Sequence, residues 1–149
     1  MSAADSAGPV VVVGVDGSAE SLAALGWAAR YAAATSASVV AVSCWHDPAA
    51  GMIPPGGEPP AITGEVRAGM EETLSKAVSD AFGTAAPAGV TTKIAYGHPA
   101  QVLVDFSRDA DLLVVGRRGH GAFTGMMLGS VSIHCVTAAE CPVVVVQGS

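Results

Sequence analysis

Short unbroken apolar runs alternate along this chain with longer stretches in which apolar residues return every three or four positions. The first run, Val10 to Val15, is β-branched apart from Gly14 and stops at Asp16-Gly17. A strand that is apolar at every position, rather than every second one, is covered on both faces, as in a parallel sheet. Ser18 then offers a cap to a helix running through "AESLAALGWAARYAAAT" to near Thr35. Trp27 and Tyr31, one turn apart on it, are expected to pack in the core. Val39 to Cys44 predicts a second strand. From Glu65 onward Val66, Met70, Leu74 and Val78 recur every four residues, with Glu71, Glu72, Lys76 and Asp80 between them. That predicts an amphipathic helix ending near Phe82-Gly83. "TTKIAY" predicts a third strand. Pro99 suits the first turn of a helix whose apolar face is Val102, Leu103 and Phe106. "LLVVG", "SVSIHCVTAA" and "PVVVVQ" complete the pattern as a fourth strand, a short fourth helix and a fifth strand.

Strands alternating with helices require a parallel sheet with right-handed crossovers and helices on both faces. The expectation is a single doubly wound, Rossmann-like α/β domain over residues 1–149, with residues 1–9 as a flexible N-terminus. The stretch "HDPAAGMIPPGGEPPAIT" is too rich in Pro and Gly for helix or central strand. Residues 47–63 are read as a mobile surface loop, with a lid over a bound base as the alternative. Ligands of such folds bind beyond the carboxyl ends of the strands.

Composition narrows the class. The chain is 149 residues long, half hydrophobic and 13% charged, which excludes a disordered chain. A formal charge of −6 argues against nucleic-acid binding, which needs a basic surface. Any bound anion must therefore be held by a local feature. The opening "MSAADSAGP" has no basic segment, and "VVVVGV" is too short for a signal peptide or a membrane span. A cytoplasmic location and no membrane partner are expected. Cys44, Cys135 and Cys141 have no C-x-x-C spacing and are read as buried reduced thiols.

Three segments leave the carboxyl ends of strands: "VDGS" after the first, "CWHD" after the second, and "GRRGHGAFTGMMLGS" after the fourth. Glycines let backbone N–H groups approach an anion, and a helix N-terminus adds unpaired donors and a favourable dipole. Ser130 can cap that helix or bind a phosphate oxygen. Arg117 and Arg118 are two of only seven basic side chains, and their fork geometry suits phosphate. A Walker loop is excluded, because the only lysines, Lys76 and Lys93, follow Ser and Thr. The early dinucleotide fingerprint is absent too, since "GVDGS" stands where it should be. His120, inside the loop, has no nucleophile or carboxylate identifiable beside it and is read as a loop residue; His46, His98 and His134 lack ligand spacing.

The late glycines read Gly116, Gly119, Gly129, followed by Ser130: a G-x2-G-x9-G-S/T pattern. With the "VGVDGS" start and the "CPVVVV" end, the span from Val10 to Val146 resembles the universal stress protein family. The resemblance implies a five-stranded sheet of order 3-2-1-4-5, of the adenine-nucleotide α-hydrolase type. It also implies a homodimer and, in the branch carrying this motif, a bound ATP with little chemistry. Carried over by position, Gly14 and Val15 would line the cleft, and Asp16 would lie near the ribose or a phosphate-bound Mg2+. The backbone around Cys44 would meet the adenine edge. Gly116, Gly119, Gly129, Ser130, Val131 and Ser132 would wrap ribose and phosphates, with Arg118, and Arg117 before it, beside them. The fifth strand, Val143 to Val146, would be outermost and pair with a second copy. The reading is an ATP-binding stress-response module with at most slow hydrolysis. An adenylyl-transferring enzyme and a nucleotide-free dimeric interaction module stand as alternatives.

Overall fold

A computed structural model describes residues 8–45, 64–83, 89–119 and 128–148. The expectations placed on residues 1–7, on the 47–63 loop and on His46 and His120 lie outside these residues. The element order is β1 (Val10–Gly14), α1 (Ala19–Thr35), β2 (Ser38–Trp45), α2 (Gly64–Phe82), β3 (Val90–Tyr96), α3 (Pro99–Ser107), β4 (Leu112–Gly116), α4 (Ser130–Ala138) and β5 (Val143–Val146). All four strand pairings are parallel and the order is β3-β2-β1-β4-β5.

The unbroken valines are explained by the layers. Val11 and Val13 point to one face of the sheet, where they pack with Val39, Ala41 and Val114 under Ala24, Leu25 and Ala28 of α1 and Leu74 and Val78 of α2. Val12 points to the other face and packs with Val42, Leu113 and Val115 against Leu103 of α3 and Cys135 of α4. A polar residue at any of these strand positions would enter one core or the other. Trp27 and Tyr31 stack with ring centroids 5.2 Å apart and pack against the first core, as their spacing suggested.

Local chemistry sets the helix boundaries. Ser18 caps α1 by accepting from the Ser21 N–H at 3.2 Å, and α1 ends at Ser36 in the left-handed region. Pro99 opens α3 behind His98, whose Nδ1 accepts from the Ala100 N–H at 3.2 Å. His98, given no role from sequence, is a helix cap. The expected capping by Ser130 is corrected: the N-cap of α4 is Gly129, with no side-chain cap hydrogen bond, and Ser130 is the exposed first helical residue. The stripe read on α2 is corrected in its first half. Leu74 and Val78 are buried, but Val66 is 45% exposed and Met70 half-buried, because that end of α2 overhangs the carboxyl edge of the sheet.

The chain winds outward from β1 through β2 to β3, then returns to the other side of β1 as β4 and β5. The winding reverses between β1 and β4. The connections after them go to opposite faces, α1 to the first core and α4 to the second, and leave between them the crevice in which folds of this kind take a ligand.

Candidate functional site

Strand β1 ends with the Val15 N–H donating to the Val42 carbonyl at 2.8 Å. The chain then turns through Gly17, at φ 84°, a conformation favouring glycine. The Asp16 carboxylate builds the turn: its Oδ1 accepts from the Ser18 N–H at 2.9 Å and from the Ser18 hydroxyl at 2.5 Å. The Asp16 N–H donates to Ser21 Oγ at 3.2 Å. Two hydrogen bonds to the side chain and one from the main chain thus fix an exposed carboxylate at the end of the central strand.

Strand β2 runs past the end of β1. Ser43 Oγ donates to the Val15 carbonyl at 2.7 Å, and the Trp45 carbonyl accepts from Gly97 on the β3 side. Parallel strands alternate the side to which backbone groups point. Val42 faces β1, so Cys44 does also, two residues beyond the last β1 partner. The Cys44 side chain packs against the second core; burial, with the nearby Cys135, pushes its thiol up to about 11. Burial and the neighbouring Cys141 push Cys135 up to about 11 as well. All three cysteines are free thiols, but only Cys135 is fully buried; Cys44 and Cys141 are half-buried, which corrects the reading of three buried thiols. A cavity of about 670 Å3 opens beside the Cys44 backbone, lined by Val15, Asp16, Gly17, Ser43 and Cys44. Leu22 and the overhanging Val66 and Met70 of α2 form its apolar wall.

The third segment at this edge of the sheet is the glycine loop, whose two ends are clasped. The Gly129 N–H donates to the Arg117 carbonyl at 2.8 Å, and the buried Ser132 Oγ lies 2.7 Å from the same carbonyl and 3.0 Å from that of Gly129. The approaches there are tight for a side chain. A Cβ on Gly119 would stand 2.6 Å from Asp16 Oδ2, and one on Gly129 would stand 3.3 Å from the Arg118 Cα. The β1 turn and the glycine loop therefore meet at Asp16 and Gly119. Ser130 is exposed at the start of α4, whose first-turn N–H groups have no side-chain cap. The Ser132 hydroxyl is turned into the clasp, so a ligand would meet its N–H, and the Val131 side chain packs on the second core. Gly14 faces Leu103 of α3 and belongs to the packing under the cleft.

Arg117 and Arg118 find a partner that the sequence did not reveal. Glu20, in the first turn of α1, accepts from the Arg118 N–H at 2.8 Å through Oε2, and its Oε1 lies 3.4 Å from Arg117 Nη2 and 3.6 Å from Arg118 Nη2. Burial pushes the Glu20 carboxyl up, but the Arg118 amide and the two guanidinium charges outweigh it and hold the group below its ordinary range. A carboxyl lowered on folding adds stability above its unfolded pKa and loses it as pH falls through the folded value, so this clamp is intact at neutral pH. The one signal in the sequence, an acid in a helix's first turn, reads equally well as a partner of the helix dipole.

The sequence profile of the universal stress protein family matches residues 9–147. The chain belongs to that family. It is similar to a universal stress protein of Mycolicibacterium smegmatis, 38% identical over an alignment of 144 positions that covers 93% of this chain and 48% of the relative. A universal stress protein of Mycobacterium tuberculosis is 33% identical over an alignment of 145 positions, covering 92% of this chain and 47% of the relative. The chain spans about half the length of these curated relatives. Among solved structures, a universal stress protein in complex with cAMP superposes with a TM-score of 0.70 at 29% identity, covering 95% of this chain and 98% of that one. A universal stress protein from Archaeoglobus fulgidus in complex with dAMP has a TM-score of 0.64 at 26% identity, covering 93% and 96%. The expected five-stranded order of the family is the order found here.

Proposed function

We propose that this universal stress protein domain binds an adenine nucleotide, ATP with Mg2+, across the carboxyl ends of β1, β2 and β4, as a stress-response signal with at most slow hydrolysis. One observation carries the reading: Asp16 Oδ2 stands 2.6 Å from where a Gly119 Cβ would be, so a carboxylate suited to a ribose or a metal adjoins a loop suited to phosphate. The residues fit the ligand piece by piece. The Cys44 backbone and the apolar wall of Leu22, Val66 and Met70 suit a purine. The uncapped first turn of α4 suits a phosphate. No group of three His, Cys, Asp or Glu that could hold a metal occurs among the described residues, so Mg2+ would be held by Asp16 and the phosphates together. The two solved relatives that hold cAMP and dAMP share an adenine, a sugar and one phosphate as common ground. Among the described residues no helix is long and apolar enough to cross a membrane, and the charge of −6 disfavours nucleic acid; a cytoplasmic place accords with both. Mass spectrometry of the purified protein is expected to find intact adenine nucleotide, still triphosphate after hours of incubation with Mg2+. Protein that neither retains adenine nucleotide nor takes it up in a titration would overturn the reading, and rapid appearance of product would make it an enzyme.

The same reading includes a homodimer through β5. Of the two sheet edges, β3 shows exposed Thr91, Thr92 and Lys93, which discourage pairing, whereas β5 is four half-buried valines. Ile133 and Val136 of α4, the helix packed beside β5, are 48% and 53% exposed. Light scattering at micromolar concentration is expected to give twice the chain mass. Val145→Pro, which removes a backbone donor and cannot sit in a paired strand, is expected to give monomer. A monomeric wild type would defeat the dimer, and a dimeric variant would defeat pairing through β5.

A further inference from the structure

The glycine loop carries two arginines, yet an acid inside the protein has already answered them. The Glu20 side chain is only 13% exposed, while those of Arg117 and Arg118 are 25% and 28% exposed. The guanidiniums therefore offer a ligand more surface than the carboxylate does. The contacts divide into two kinds. The Arg118 N–H sits 2.8 Å from Oε2, a short bond that holds the first turn of the loop. Both guanidiniums lie at 3.4 Å and 3.6 Å from the single oxygen Oε1, longer and shared. Arg117 Nε is buried with no hydrogen-bond partner among the described residues, so that guanidinium is not saturated by Glu20.

We infer that Glu20 is a built-in counter-anion that sets how the site ranks nucleotides by the charge of their phosphate tail, acting through Arg117 and Arg118 without touching the ligand. The inference rests on the nucleotide reading above. Two positive charges at the loop face the negative Glu20, and the Asp16 carboxylate stands beside Gly119 of the same loop, in a chain of net charge −6. A phosphate tail entering this neutral locality gains the helix dipole and hydrogen bonds but little net Coulombic attraction. Each further phosphate adds charge without meeting an added positive field. The adenosine moiety, common to every candidate ligand, then decides much of the affinity. A site of this kind holds adenine nucleotides with a shallow dependence on phosphate number, whereas two unopposed arginines would favour the triphosphate steeply.

The test is Glu20→Gln, which keeps an acceptor for the Arg118 N–H and nearly the same shape while removing the charge. Calorimetric titration with metal-free ATP, AMP and adenosine reads it. Freeing the arginines is expected to tighten ATP by about tenfold or more, the value of one added charge-assisted contact, with a smaller gain for AMP and none for adenosine. Glu20→Ala, which also removes the backbone acceptor, is expected to loosen the loop and weaken AMP. A Glu20→Gln protein whose ratio of ATP to adenosine affinity stays that of wild type overturns the inference and leaves the nucleotide reading standing. Wild type that binds none of the three ligands overturns the nucleotide reading, and the inference falls with it. If Glu20→Gln does not fold, wild type carries the test: its metal-free ATP affinity should change less than about threefold between low and physiological salt, because the loop offers no net charge to screen. A steep loss of affinity with salt would mean unopposed arginines and would overturn the inference.

Discussion

Gly129→Val is expected to weaken nucleotide binding more than a hundredfold while leaving the folded domain and its association state unchanged. The reason is not backbone strain, since Gly129 has φ −80° and ψ 171°, which any residue can adopt. It is contact. A Cβ there would lie 3.3 Å from the Arg118 Cα and 3.6 Å from both the Arg117 carbonyl oxygen and the Gly119 nitrogen, all main-chain atoms that cannot rotate away. The Arg118 main chain must then give by a few tenths of an ångström, next to the 2.8 Å bond from the Gly129 N–H to Arg117. Valine also places two methyl groups at the mouth of the α4 first turn. Losing two phosphate contacts of about 1.5–3 kcal/mol each lowers affinity more than a hundredfold. Calorimetric titration with ATP, beside circular dichroism and light scattering, checks it. Wild-type affinity in this variant would remove the phosphate role of the loop.

Gly116→Ala is expected to do the opposite, damaging stability first. Its Cβ would stand 2.7 Å from the carbonyl carbon of Glu20, 2.9 Å from that carbonyl oxygen and 3.0 Å from the Glu20 Cβ. Both partners are fixed: β4 is paired with a neighbour on each side, and α1 packs on the first core. Overpacking against main chain costs about 1–3 kcal/mol. In a domain of this size each kcal/mol lowers Tm by roughly 2–4 °C. A thermal melt of the purified variant measures the drop, and an unchanged Tm would mean that α1 can move away from β4. Because Glu20 holds the Arg118 N–H, any such shift also pulls on the loop.

The elements were legible where local pattern and tertiary demand agree. The valine runs of β1 and β4 had no other stable place than the middle of a parallel sheet, and Ser18, Pro99 and the alanines of α1 mark helix ends and faces. Their order in the sheet was not legible from the pattern; it came from the resemblance. The carboxyl-end segments were found because topology alone brings "VDGS", the end of β2 and the glycine loop together. Glu20 was missed because its meaning depends on arginines 97 and 98 positions away, and no local rule couples them. The Val66 and Met70 half of α2 was misjudged because periodicity reports an apolar face without saying whether a core or a cavity lies opposite. Ser132 looked like a phosphate ligand by its place in the motif, yet burial turns its hydroxyl toward the Arg117 carbonyl.

The clasp between Arg117, Gly129 and Ser132 couples the two ends of the loop mechanically. Arg118 and Gly119 on one side and the first turn of α4 on the other are joined through a single carbonyl, that of Arg117, which takes both the Gly129 N–H and the Ser132 hydroxyl. A pull on either end is felt at the other, so the Glu20 contact to Arg118 and the amides of α4 shift as one unit rather than independently.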